Sequence, residues 1–210
     1  MTDTLFRWDI INQLLETTAQ KRFLEIGVQR GICGSKVKAK TKVGVDPNPI
    51  PPAGRHYTSL YRAPSDNFFR DIPPDTRFDV VLVDGLHHAD QVLRDVDNVL
   101  RHLSDDGVIV LHDCNPQSEA AQRVPRMVGV WNGDCWRAMV ALRQRPDLDC
   151  FTVDTDHGVG IVRRRPNHNP LPAVGDLDYE ALTRDRRGLL NLVSPRAWEE
   201  RFGAPLVSAG

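Results

Sequence analysis

Two short apolar runs and the residues that end them constrain this chain more than anything else in it. The first, Phe23 to Val28, is rich in Phe, Ile and Val and runs into glycines at 27, 31 and 34. A run so short and so apolar reads as a buried parallel strand feeding a glycine turn and a helix. The second, Val43 to Val45, ends in Asp46, 19 residues after Gly27. An acid at the tip of the strand after such a turn is placed to accept hydrogen bonds from both ribose hydroxyls of a nucleoside. A dinucleotide site needs Gly-x-Gly-x-x-Gly so that backbone can approach a pyrophosphate. Gln29 stands where the second of those glycines belongs, which disfavours a nicotinamide dehydrogenase. Glu25 precedes the turn. A carboxylate there repels a pyrophosphate and attracts a ligand that bears an ammonium and a sulfonium.

Elsewhere the pattern repeats. Leu5, Trp8, Ile11, Leu14 and Leu15 predict an amphipathic helix over 4–18. Strands are expected at 22–27, 42–46, 56–61, 78–83 and 108–111, with helices at about 31–39, from Ser65, and at 89–103. Ser65 is the expected N-cap of its helix. Strand, helix, strand with short connections is a doubly wound parallel sheet, whose ligands sit at the carboxyl ends of the strands. Glu25, Asp46, Asp84 and Asp113 all fall at such ends. Residues 114–130 have no clear period and read as a lid or substrate loop. A helix after Trp131-Asn-Gly-Asp-Cys-Trp136, strands at 149–154 and 158–163, and a last helix from Tyr179 to Leu192 complete the chain.

Composition narrows the class. A net charge of −1 over 210 residues gives no reason to expect nucleic acid or an anionic membrane as a partner. No apolar run approaches the roughly 20 residues of a membrane span. Met1-Thr-Asp-Thr4 has neither the basic start nor the apolar run of a signal peptide. Cys33, Cys114, Cys135 and Cys150 lack paired metal spacing and read as reduced thiols, so a cytoplasmic protein is expected.

Glu25-Ile-Gly27-Val-Gln-Arg-Gly31 resembles the acid-x-Gly-x-x-x-Gly motif of the class I S-adenosylmethionine (SAM)-dependent methyltransferases. The resemblance implies an α/β Rossmann-like sheet of seven strands closed by a C-terminal antiparallel hairpin. Residues 1–164 would be the methyltransferase domain, and 165–210 a linker and helical appendage that covers the domain or serves a homodimer. It implies SAM as cofactor, held by Glu25, Gly27, Gly31, Asp46 and Asp84, with Ser65 or Asp66 accepting from the adenine amino group.

Methyl transfer to an alcohol requires that the acceptor be aligned and its proton removed. Asp84 and Asp113 end neighbouring strands, where two close carboxylates repel unless a cation lies between them. A Mg²⁺ ion would resolve this and acidify a bound hydroxyl. These acids fall where catechol O-methyltransferase and the macrolide sugar O-methyltransferases place metal-binding acids. The third ligand departs from both families: His112 precedes Asp113 and Cys114, a poor Mg²⁺ ligand, follows it. His112, Asn115 or water is left to complete the set. His87, three residues after Asp84, is the expected general base, with His88 the alternative.

Several stretches are similar to a group of small bacterial methyltransferases tied to glycan genes: Ser65-Asp-Asn-Phe-Phe, Val83-Asp-Gly-Leu-His87, Val110-Leu-His-Asp-Cys-Asn-Pro116, Asn132-Gly-Asp-Cys-Trp136 and Val153-Asp-Thr-Asp156. That likeness implies a saccharide hydroxyl as acceptor, most specifically the anomeric hydroxyl of a methylated mannoside in polysaccharide biosynthesis. Trp131 and Trp136 would stack on a sugar or on a phenolic natural product equally well. A non-catalytic SAM-binding scaffold is a third reading, which has no need of Asp84, His87 and Asp113.

Overall fold

The computed structural model describes residues 5–127 and 129–202. The signal-peptide reading of Met1–Thr4 lies outside them. In chain order the elements are α1 (Arg7–Glu16), β1 (Arg22–Ile26), α2 (Ile32–Lys36), β2 (Thr41–Val45), β3 (Ser59–Tyr61), α3 (Ser65–Asp71), β4 (Phe78–Val83), α4 (Ala89–His102) and β5 (Leu103–Leu111). They continue with α5 (Glu119–Gln122), α6 (Cys135–Arg143), β6 (Leu148–Val153), β7 (Val159–Arg164), α7 (Tyr179–Arg184), α8 (Arg186–Leu190), β8 (Leu192–Val193) and α9 (Pro195–Phe202).

The sheet runs β3-β2-β1-β4-β5-β7-β6-β8. β7 lies antiparallel between β5 and β6, as the hairpin reading requires. The sheet has eight strands, not the expected seven, because Leu192 and Val193 leave the predicted last helix and pair with Thr152 and Val153. That helix is accordingly two short ones, α7 and α8, the second ended by Asn191 in the left-handed conformation.

β4 is buried at all six positions, which is why its sequence is an unbroken apolar run. Alternation decides which face each residue serves. Val81, Val83, Ile109 and Leu111 pack with α3, α4, α6 and the Leu182, Leu189 and Leu190 side chains of the tail. Val80, Leu82, Val108 and Val110 pack with α1 and Trp198 on the other face. The residues after 164 therefore supply core on both faces.

The β1–β4 pairing sets Ile26 beside Val83, so the two strands end level. Gly27 holds φ +90°, and a Cβ there would run into the Asp84 carbonyl. Only glycine allows the first turn to cross the end of β4 so closely. This crossing puts Glu25, Asp46, Asp84 and Asp113 around one opening. Among the described residues no helix is long and apolar enough to cross a membrane.

Candidate active site

Two adjoining cavities lie along the carboxyl edge of the sheet. The first, ≈ 310 Å³, is bounded by Gly27, Asp46, Ser65, Asp66, Leu86 and Asp95 among others. Asp46 Oδ2 accepts from the Gln29 amide and Oδ1 from the Asn48 amide, each at 2.7 Å. Two backbone donors thus fix the carboxylate at the tip of β2, and its remaining lone pairs face ribose-sized space. Ser65 is the first residue of α3, not its N-cap; Pro64 holds that place. Freed from capping, the Ser65 hydroxyl bonds Asp95 instead. Asp66 leans outward toward Asn98 at 3.4 Å and Arg94 at 3.8 Å.

The second cavity, ≈ 440 Å³, is lined by residues that include Arg7, Glu25, Gly27, Asp46, Asp84, His87, His112, Asp113 and Trp131. Gly31 caps α2 in the left-handed conformation, and Ile32 and Cys33 at the start of α2 line this space. Glu25 is 2% exposed and accepts from the Tyr57 hydroxyl at 2.8 Å. Burial pushes its carboxyl up to about 8, and the Tyr57 bond only partly offsets this. A cationic ligand is what such a carboxylate lacks.

Asp84, His87 and Asp113 converge at the inner end. Their ligand atoms all lie within 4.8 Å of one another. His87 Nε2 is 3.2 Å from Asp84 Oδ1, and Nδ1 is 3.1 Å from Asp113 Oδ2. Nδ1 is nonetheless buried without a hydrogen bond. A bare lone pair that close to a carboxylate oxygen is repulsive, so a proton or a cation belongs between them. Two converging carboxylates are oxygen donors that fit a divalent cation. Burial alone would lower the His87 pKa, but the Asp84 hydrogen bond and the charges of both acids raise it.

His112, expected as a metal ligand, reaches both acids as well. Its Nδ1 is 3.2 Å from both Asp84 Oδ1 and Asp113 Oδ2. Its Nε2 faces Asp156 at 3.6 Å and Arg7 at 3.3 Å. Burial works against its charge, yet Asp84 and its other acidic partners hold its pKa well above the usual range. His112 is a charged brace between Asp84 and Asp156. Asn115 is also turned from the cluster: its amide donates to Asp154 at 2.8 Å, and its oxygen accepts from Arg186 at 2.5 Å. His88 stands outside the acids, edge-on to Trp131 at 6.4 Å.

Residues other than the predicted acids and histidines complete the site. Arg7 of α1 pairs with Asp156 at 2.8 Å and lies 3.6 Å from Asp84, tying the helix across the cavity. Asn132, 1% exposed, donates to Asp113 Oδ1 at 2.6 Å. Trp131 stacks on the His87 ring with centroids 5.2 Å apart. Asp134 caps α4 from outside by accepting the Ala89 amide at 2.7 Å. Gly133, at φ +61°, packs where a Cβ would strike the His87 carbonyl. The Asn-Gly-Asp run before α6 was the available signal, since such residues in sequence mark shaped backbone. Trp136, expected at the acceptor, is fully buried with its indole nitrogen on Gln122.

Residues 24–114 match a family profile described as a methyltransferase domain. No curated protein matches the sequence. Among solved structures the fold is similar to the S-adenosylhomocysteine (SAH)-bound methyltransferase PaMTH1 of Podospora anserina: 21% identity, TM-score 0.54, 69% of this chain and 72% of that one. The O-methyltransferase TomG of Streptomyces achromogenes, in complex with SAM, gives 16% identity and a TM-score of 0.53 over 79% and 83% of the two chains. Cofactor-bound Rv0187 from MTB gives 15% and 0.58 over 80% and 84%. At these identities the likeness establishes a shared fold.

Proposed function

From the premise that this chain is a class I SAM-dependent methyltransferase, we propose that it is a cation-assisted O-methyltransferase acting on a saccharide hydroxyl. The observation that carries the reading is His87 set between Asp84 and Asp113, in the cavity that Glu25 and Asp46 also line.

SAM, when bound, supplies an electrophilic methyl on a sulfonium, and a divalent cation, expected to be Mg²⁺, supplies a lowered hydroxyl pKa. The chain does the rest. Asp46 anchors the ribose and Glu25 faces the positive end of the cofactor. Asp84 and Asp113 are the oxygen donors for the cation. His87 keeps its proton at Nε2 against Asp84 and takes the hydroxyl proton at Nδ1, where Asp113 Oδ2 stabilises the resulting imidazolium. Asn132 holds the other Asp113 oxygen, and Trp131 shields the imidazole from water. A scaffold without turnover needs none of this convergence. The most specific acceptor is the anomeric hydroxyl of a methylated mannoside, carried over from the sequence likeness to glycan-associated enzymes.

The test is methyl transfer from labelled SAM onto a panel of sugars and phenols, with and without chelator. Transfer to a sugar that stops in chelator supports the reading. Transfer to phenols alone would move the assignment to a natural-product enzyme. No transfer to any acceptor, with SAM bound, would leave a scaffold.

A further inference from the structure

The adenosine cavity holds a carboxylate that the scheme above does not use. Asp95 and Gln91 lie one turn apart on α4, and both line that cavity beside Ser65. Asp95 is 1% exposed. Ser65 Oγ donates to Asp95 Oδ1 at 2.6 Å. Gln91 Nε2 donates to the same oxygen at 3.1 Å and reaches Ser65 Oγ at 3.3 Å. The Gln91 oxygen is taken by Arg94, which fixes the amide with its nitrogen inward.

A hydroxyl has one proton and two lone pairs. Burial raises the Asp95 carboxyl to about 6, which still leaves it ionised and acceptor-only at neutral pH. Ser65 therefore has its proton committed to Asp95 and one lone pair engaged by Gln91. The other lone pair is what it offers the cavity. An exocyclic amino group can donate to it; a carbonyl oxygen would meet it lone pair to lone pair.

We infer that Asp95 is a positioning residue that fixes the polarity of Ser65, so that the cavity accepts a 6-aminopurine and rejects a 6-oxopurine. The inference rests on the cofactor assignment and not on the acceptor or the cation. Sequence reading left Ser65 and Asp66 as equal candidates for the adenine contact; the buried network selects Ser65.

The test compares SAH with S-inosylhomocysteine by titration calorimetry, so no methyl acceptor is needed. The wild-type protein should prefer SAH by about 10²-fold, the scale expected when a buried polar group meets the wrong partner. Asp95→Leu removes the buried charge and frees the hydroxyl to rotate, and the preference should fall to about 5-fold or less. Ser65→Ala should collapse it similarly, and the double variant should go no further than Ser65→Ala. A purely structural role for Asp95 would weaken both ligands together and leave the ratio intact, which overturns the inference. Equal wild-type affinity for both ligands overturns it too. If Asp95→Leu does not unfold cooperatively, Ser65→Ala decides: an unchanged ratio sinks the idea. Wild-type protein that binds no SAH removes the cofactor assignment along with it.

Discussion

His87 Nδ1 stands 3.1 Å from Asp113 Oδ2 with no hydrogen bond joining them, and both residues hold left-handed backbone, at φ +60° and +61°. Neither is a glycine, so each conformation costs roughly 1–3 kcal/mol that surrounding contacts must offset. Those contacts are the Trp131 ring, the Asn132 amide and the Asp134 amide on the His87 carbonyl. A site held against its backbone preference is placed for chemistry, and the first prediction follows. His87→Ala should lower the methyl-transfer rate by about 10²–10⁴. SAM affinity should barely change. His88→Ala should do less, because its ring lies outside the acids. Stopped-time assays with labelled SAM decide this, and a larger loss in His88→Ala would reverse the assignment.

The cation prediction rests on the Asp84 and Asp113 carboxylates, which converge beside His87. Mn²⁺, a spectroscopic stand-in for Mg²⁺, should bind the protein, and Asp113→Asn should weaken that binding at least tenfold while SAH affinity survives. Electron paramagnetic resonance of free and bound Mn²⁺ gives the answer without turnover. Wild-type protein that leaves all the Mn²⁺ free would leave the acids as partners of His87 and His112 only.

Glu25 makes SAM binding pH-dependent. Its folded pKa, about 8, lies above the ordinary Glu value because of burial, so most of it is protonated at pH 7. The sulfonium and ammonium of SAM favour the carboxylate, so binding should expel a proton. SAM affinity should therefore climb as pH rises toward about 8 and then level off. Stability runs the opposite way: without ligand, the contribution of this group declines as pH rises from the usual Glu range through about 8. Calorimetry in buffers of different ionisation enthalpy counts the proton. An identical pH slope in Glu25→Gln would show that another group is responsible.

Gly133→Ala tests how the site is held in place. The added methyl meets the His87 carbonyl at a residue whose φ is +61°. The expected cost is about 1–3 kcal/mol of stability. The rate should fall as well, since His87 must shift to make room. SAH binding should persist, because Gly133 borders neither Asp46 nor Ser65. Denaturant unfolding and turnover measured together check it; a variant as stable and as active as the wild type would mean the loop simply relaxes.

Much of this is legible in the sequence, for a physical reason. Buried parallel strands are written as short apolar runs, and ligand-facing acids stand at their tips, so Glu25, Asp46, Asp84 and Asp113 announce themselves locally. What stayed hidden depends on distance along the chain. Arg7 reads as an ordinary first-turn residue until Asp156 arrives beside it. His112 is adjacent to Asp113 in sequence, which suggested a shared ligand role, but only the fold shows its imidazole between Asp84, Asp113 and Asp156. Trp131 and Trp136 are indistinguishable by type, but α6 buries Trp136, while Trp131, ahead of that helix, stacks on His87. Ser65 looked like a helix cap because nothing in its own neighbourhood names Asp95.

The α1 clamp has a consequence for how the molecule comes into being. Arg7 meets Asp156 across 149 positions, and Leu5 accepts from Thr155 across 150. Closing a loop of that span is among the slowest kinds of contact a chain of this size makes. The α1 end of the domain must wait for the β6–β7 hairpin before it can settle. The β1 to β4 core can assemble earlier around its own local pairings, with the cofactor edge still unroofed. The roof over the cofactor edge is therefore completed only when these two distant parts of the domain meet.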